Sequence, residues 1–362
     1  MKILVTICRW LVGLLFIFSG MVKANDPQGL SFKMLEFFEK WNMHFFDNYS
    51  LSFAILINIV EVVAGVGIII AWRPKFFSWL LLLLILFFTF LTSYVLFSGK
   101  IHACGCFGDC IPLTPIQTFT KDIILLVLIL FILFNINKIN AAISKKIAII
   151  ALTISFVIAA GVEFYVLHHL PFKDCLAYRK GNNILEQMKP PVGSVSDSFA
   201  IFYTYKKDGK TIRFNAEQFP EDFDSTYTQF GDEEKIQIRK GNNTAKIANF
   251  SLTTLSGNDT TQAILATEGK YVLVFVKDFS SVADKAKSIA AIKHFIENKT
   301  PVYFVTNDKE GIANAGIANI PIFTCDATEV KTAARVNPTF ILMDGATIVN
   351  KVAGVDADKL MQ

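Results

Sequence analysis

For about 170 residues the chain runs in long apolar stretches separated by short polar breaks; after that, apolar residues come in short, spaced groups. Five stretches are long enough to cross a bilayer, which takes roughly 20 residues at about 1.5 Å of rise each. They cover residues 3–22, 51–72, 76–97, 123–135 extended into its flanks, and 147–167. Lys2 precedes the first, as in a signal peptide. Arg9 interrupts that run, however, and "MVKA" is a poor cleavage site, so a retained helix is expected.

The second half has the rhythm of a folded α/β chain. "PPVG" marks a linker, and "IFYTYKKDGKTIRFN" at 201–215 alternates and turns at "KDG", which predicts a β-hairpin. The acidic stretch "QFPEDFDSTYTQFGDEEK" is expected as loop and turn. Further on, "YVLVFVKD" predicts a buried strand and "DKAKSIAAIKHFIEN" an amphipathic helix. "PVYFVTND" and "PIFTCD" predict two more strands, "ATEVKTAARV" a helix, and "NPTFILMDGATIVNKVAG" a strand pair turning at "DG". The expected units are a four-span membrane region at 1–138, a fifth span at 146–170, a small β-rich linker domain at 171–241 and an α/β domain at 246–362. The fold class is a polytopic α-helical membrane bundle with a C-terminal α/β domain.

Composition agrees, with 52% hydrophobic residues, 34 of them Phe, which is too apolar for an ordinary soluble chain. A formal charge of +4 gives no reason to invoke nucleic acid. The loops "RPK" and "NINKINAAISKK" are short and basic. The positive-inside rule then puts them and the N-terminus in the cytoplasm, and the C-terminal domain on the far side. That is the topology of a multi-pass inner-membrane protein with its C-terminal domain in the periplasm.

Two charges stand out within the first two spans, Arg9 and Glu61. A charge there is costly and usually faces a partner or a cavity. An Arg9–Glu61 pair between the first two spans is expected, as a structural clasp or as part of a substrate or quinone pocket. Arg9 snorkelling alone to the surface is the other reading.

The densest chemistry is "HACGCFGDC" at 102–110, with three of the six cysteines in seven positions. It follows the third span, on the side where disulfides persist. Gly105 relaxes a strained Cys104–Cys106 ring, and Cys110 is a candidate resolving thiol. Asp109 would raise a neighbouring thiol's pKa and a protonated His102 would lower it. Three readings stay open: a redox site of Cys104, Cys106 and Cys110; a structural disulfide with a spare thiol; and a zinc or Cu(I) set of His102, Cys104, Cys106 and Cys110. Cys175, just past the last span, is the candidate exchange partner.

"RWLVGLLFIFSGMVKANDPQGL" at 9–30 resembles the first-helix signature of DoxX-like membrane proteins, and "CGCFG" at 104–108 resembles that of the MauE family of methylamine-utilisation proteins. The resemblance covers about residues 1–138. It implies a polytopic membrane protein linked to maturation of periplasmic, disulfide-rich proteins, with a logic shared by membrane thiol oxidoreductases of the vitamin K epoxide reductase type. The order of elements after residue 246 resembles a thioredoxin fold, and "ANFSL" resembles the start of TlpA-like or peroxiredoxin-like domains. In that resemblance "NPTF" makes Pro338 the cis-proline. Yet the place of the family's Cys-x-x-Cys reads "KDFSSVADK", so the domain is expected to hold a partner rather than exchange thiols. Cys325 is expected in packing.

The reading is a cell-envelope factor for thiol–disulfide exchange or maturation of exported client proteins. Its enzymatic activity would be thiol–disulfide oxidoreduction, with a quinone as the electron acceptor. The alternatives are a non-catalytic membrane scaffold with a structural disulfide and a zinc- or copper-handling protein.

Overall fold

A computed structural model describes the chain except residues 100, 102–107, 141–142, 240, 242, 315–319 and 362, and gives the backbone alone at 237 and 312–314. His102, Cys104, Gly105 and Cys106 therefore lie outside the described residues.

Five helices are long and apolar enough to span a membrane. They are α1 (Lys2–Ala24), α3 (Ser50–Ile69), α4 (Pro74–Ser98), α5 (Pro115–Phe134) and α6 (Lys145–His168). Between the first two lies a helix the apolar pattern did not announce, α2 (Pro27–Lys40). Asp26 caps it by accepting from the Gly29 amide at 3.0 Å, and Pro27 occupies the first turn, where its missing N–H costs nothing. Its apolar positions Leu30 and Met34 pack on Ala54 of α3. α5 starts on a reciprocal cap between Thr114 and Gln117, which lengthens the fourth span towards its N-terminal side.

α1 and α3 approach closely because glycines face backbone across the pair. A Cβ on Gly13 would lie 2.8 Å from the Gly65 carbonyl, and one on Gly65 would lie 2.6 Å from that of Gly13. With no hydrophobic force between helices in lipid, such small-residue seams allow the packing that holds them. Leu14, Phe18, Leu83, Phe90, Val127 and Phe156 point outward from the bundle, as lipid-facing side chains do.

After α6 the chain enters the C-terminal domain at once. Residues 176–188, with α7 (Ile184–Gln187), put Tyr178 and Ile184 into its core. The Gly181 and Ile184 amides donate to Ile348 and Ala346 at 2.8 Å. A separate four-stranded sheet follows, of β1 (Ser198–Lys207), β2 (Lys210–Asn215), β3 (Thr228–Gln229) and β4 (Glu234–Arg239). β1 and β2 form the expected hairpin about Asp208–Gly209. The unit expected at 171–241 is thus divided: its first part belongs to the larger domain, and only the sheet stands apart. The reason is long-range pairing of 181–184 with the far end of the chain, which no local pattern announces.

The main sheet runs β10-β9-β6-β7-β8-β5, built from β5 (Thr253–Thr254), β6 (Lys270–Val276), β7 (Val302–Thr306), β8 (Ile322–Thr324), β9 (Thr339–Asp344) and β10 (Thr347–Ala353). β6, β7 and β8 are parallel, and β9, β10 and β5 join antiparallel. Both faces of β6 are covered. Tyr271, Leu273 and Phe275 enter one core, and Val272, Val274 and Val276 the other. That two-sided burial explains the unbroken apolar run "YVLVFV". Helices α8 (Thr261–Leu265), α9 (Lys285–Glu297), α10 (Lys309–Asn314) and α11 (Ala327–Ala333) complete the domain. Asp284 and Asp326 cap α9 and α11.

Candidate functional site at the disulfide junction

α1, α4 and α6 end, and α3 and α5 begin, at one end of the bundle, because the five spans alternate in direction. Cys110, between α4 and α5, therefore sits beside the exit of the last span. Cys110 and Cys175 form a disulfide with Cα atoms 4.9 Å apart. The bond closes a 65-residue separation that contains α5 and α6. On chain entropy alone a loop of that size is worth about 4 kcal/mol. Just before Cys110, Gly108 has φ 58°, a left-handed value suited to glycine, and lies against Val22 of α1.

Around this bond the C-terminal domain meets the membrane region in a set of polar contacts. Arg335, only 5% exposed at its side chain, bridges Asp26 at 2.9 Å and Asp109 at 3.2 Å. Its guanidinium lies 5.2 Å from the centre of the Phe32 ring. Lys351 pairs with Asp174 at 2.8 Å. His169 Nδ1 lies 2.6 Å from Asp356. Lys277, at the end of β6, donates to Gln28 Oε1 at 3.2 Å and to the Arg335 carbonyl at 3.1 Å. Asn25 holds the main chain of Lys173 by two bonds, at 3.0 and 3.3 Å.

Burial tunes these groups. It pushes the Asp26 carboxyl up, against the pull of Arg335. It brings the Lys277 ammonium down to about 8, helped by the neighbouring Arg335. It also lowers Lys351, with Asp174 opposing.

The edge of the domain beside this contact includes the Asn337–Pro338 peptide bond, which is cis. Asn337 accepts from the Lys277 amide at 3.0 Å and donates to the Asp278 carbonyl at 2.6 Å. The turn after β6 carries Ser280 and Ser281, with no cysteine. Cys325 is buried beside Tyr178 and Glu329, and burial pushes its thiol up to about 11, so it is a packing residue rather than a nucleophile. Glu329 accepts from the Tyr178 hydroxyl at 2.6 Å and from the Ala248 and Asn249 amides. It ties both entry segments of the domain together.

Of the sequence-derived thiols, the structure joins Cys110 to Cys175, the candidate exchange partner. A sulfur in that bond is not a thiolate, so Cys110 cannot complete a metal set with His102, Cys104 and Cys106 in this form. Among the described residues no group of three or more His, Cys, Asp or Glu side chains could hold a metal.

The intramembrane pair is corrected. Glu61 is bonded to Lys23, both 1% exposed, whereas Arg9 donates to the Ile69 carbonyl at 3.1 Å. The reason is helix register. Gly13 faces Gly65, Gly20 faces Asn58 and Arg9 faces Ile69. That leaves Arg9 about 12 Å along α1 from the level of Glu61, at 1.5 Å per residue. Lys23 leans back towards the helix N-terminus and reaches it. Nearby, Asp122 pairs with Lys121 at 2.8 Å and accepts from Thr92 at 3.0 Å, and Asn58 donates to Glu163 at 2.9 Å. Lys23 is the lysine of the first-helix signature, with no ion partner expected for it; Asp122 and Glu163 were not expected, and for Glu163 a charge within a long apolar run was the available signal. A cavity of about 20 Å³ lies among Ser19, Glu61, Lys121 and Asp122. That is room for one water and far too little for a quinone ring, so these residues do not fit that cofactor and no step passes through it here.

The architecture defines a multi-pass α-helical membrane protein with a disulfide-tied, sheet-rich C-terminal domain. Residues 1–135 match the family described as methylamine utilisation protein MauE, in agreement with the resemblance carried by the first helix and "CGCFG". Residues 199–240, the separate sheet, match a domain of unknown function, DUF8463. Protein TlpB of Flavobacterium psychrophilum is 30% identical over 135 residues, 36% of this chain. The chain spans 37% of that relative's length in the match. No solved structure matches the chain.

Proposed function

We propose that this chain is an integral inner-membrane factor for thiol–disulfide exchange in the maturation of exported proteins, with its C-terminal domain in the periplasm. The observation that carries the reading is the Cys110–Cys175 disulfide. It lies in the same short loop as Cys104 and Cys106, at the contact between membrane region and C-terminal domain. A thiolate at Cys106 or Cys104 attacks one sulfur of the bond and displaces the other as thiolate, which moves the disulfide without net electron change. Oxidation of a client dithiol then takes two electrons and two protons from the client. An external two-electron acceptor restores the disulfide. The match of residues 1–135 to MauE supports a maturation role.

The C-terminal domain contributes positioning. Its sheet order, the cis-proline and the helices on both faces favour a thioredoxin-like fold without the thiol pair. The edge at Lys277 and Asn337 would then hold an extended segment by backbone pairing.

Mixed-disulfide trapping tests the proposal. Cys175→Ser leaves Cys110 without its partner, so acid-quenched membranes of this variant should accumulate mixed disulfides between the 104–110 loop and exported proteins. A Cys104→Ser/Cys106→Ser/Cys175→Ser variant should lose most of them. A variant with no mixed species, beside a wild-type bond that resists reductant, would leave the second reading. That reading is a scaffold with a structural disulfide, and the large loop closed by the bond favours it.

A further inference from the structure

The C-terminal domain holds a cleft of about 770 Å³, on the face of its sheet away from Tyr178. That volume is within the range of small-molecule sites, roughly 300–1,000 Å³. Its floor is Val274 and Val276 of β6 and Phe304 of β7, and its wall is the α9 stripe Ile289, Ile292 and Ile296. α9 therefore has two apolar stripes. Ala291 and Phe295 enter the core, whereas Ile289 and Ile296 stay 52% and 51% exposed, about 10 Å apart along the helix. An exposed apolar strip rimmed by polar side chains, here Lys285, Lys293 and Glu310, marks a binding groove.

Ser288 lines one end of the cleft and is 5% exposed, with Gly354 and Pro338 against it. A serine within a helix commonly returns its hydroxyl to the carbonyl four residues back. Ser288 Oγ makes no hydrogen bond among the described residues. A buried donor therefore borders the cleft without an acceptor, which folded proteins seldom leave so.

The backbone decides what kind of molecule fits. β6 is paired on both sides, with β7 and β9, and β7 is paired with β6 and β8. The floor offers no free strand edge. An extended peptide laid on it would bury its own amides and carbonyls against valine and isoleucine side chains. A hydrocarbon chain carries no such groups. Lys285 and Lys293 on the rim are offset by Asp278, Asp308 and Glu310, and Asp308 already accepts from the Phe279 and Gly311 amides. That balance gives no hold to a charged head. We infer that the cleft binds a neutral single-chain amphiphile from the bilayer, with its chain along Ile289, Ile292 and Ile296 and a carbonyl oxygen accepting from Ser288. The position agrees with that source. Ala291 and Phe295 pack with Ala357, and the adjacent Asp356 pairs with His169, just after α6. The site is thus one packing layer from the end of a spanning helix. The inference does not depend on thiol exchange with a client.

Photo-labelling of the full chain in lipid nanodiscs tests it. The probe is a monoacylglycerol with a diazirine on its chain, which inserts into whatever it touches on illumination. Labelled α9 peptides, found by mass spectrometry, should saturate with probe and decline when unlabelled monoacylglycerol is added. Ser288→Ala should raise the half-saturating concentration about fivefold, the order of one neutral hydrogen bond. Ile292→Trp, which fills the cleft, should abolish the saturable label. Ile289→Lys should do the same from a half-exposed position, where the change leaves the core intact. Label on the outward-facing Leu83 and Phe90 of α4 is the reference and should be unchanged in all three variants. An α9 label that never saturates, or that survives both Ile292→Trp and Ile289→Lys, overturns the inference. So does a label displaced by an extended peptide but not by unlabelled monoacylglycerol, which would make the cleft a seat for protein side chains.

Discussion

At the scale of single residues, buried charge is the main stabilising and destabilising agent in this protein. Lys23 and Glu61 sit together in the bundle, each nearly inaccessible. Removing one leaves the other unpaired, at a cost of about 3–5 kcal/mol. Glu61→Gln and Lys23→Met should each lower stability by about that amount, while the double change costs less than their sum. Arg9→Gln should instead add to Glu61→Gln, because Arg9 bonds to the Ile69 carbonyl. Denaturant titrations of the variants in detergent measure both couplings. The sequence flagged Glu61 as a charge needing a partner but could not choose it, because the choice depends on the register of two helices.

Lys277 gives a prediction with a pH sign. Its amine faces Arg335 and Lys331, which repel its charge, and Asp26, which attracts it. Burial brings its pKa down to about 8, whereas in the unfolded chain it stays near 10. Between those values the unfolded chain holds more protons, so stability rises with pH across that window. Thermal melts at about pH 7.5 and about pH 9.5 should show this contribution, and Lys277→Met should remove it. A rise of equal size in the variant would assign the effect to another group.

At the scale of elements, what was legible followed from periodicity. The five spans, the hairpin at 201–215 and the strands at 271–276 and 302–306 stand where apolar runs and alternation put them. α2 escaped because its apolar positions Leu30, Met34 and Phe37 make only one stripe on a short helix. Its start was nevertheless written in Asp26–Pro27, a cap and a first-turn proline. The α1–α3 seam was legible only in part. Glycines in apolar runs are common, and only the structure sets Gly13 against the Gly65 carbonyl. Gly13→Leu should force the pair apart and cost about 1–3 kcal/mol, read as a lower unfolding midpoint. Gly161 of α6 meets nothing in that space, so Gly161→Leu should be nearly neutral in the same assay.

At the scale of the whole molecule, the sequence showed a membrane half and a folded half but not how they join. The pairing of Cys110 with Cys175 depends on α5 and α6 returning the chain to the end it left. The contact of Arg335 with Asp26 and Asp109 spans 309 and 226 residues, beyond any local pattern. The domain boundary was misplaced for the same reason, since Tyr178 and Ile184 enter a core made mostly by residues after 246.

The most direct test of the account is the oxidation state of Cys104, Cys106, Cys110 and Cys175 in acid-quenched cells. Differential alkylation with isotopically distinct reagents, read by mass spectrometry, gives it residue by residue. The Cys110–Cys175 bond should open when electron acceptors are withdrawn, with Cys104 and Cys106 changing state alongside it. A bond that stays closed under every condition, beside thiols at 104 and 106 that never change, would contradict it.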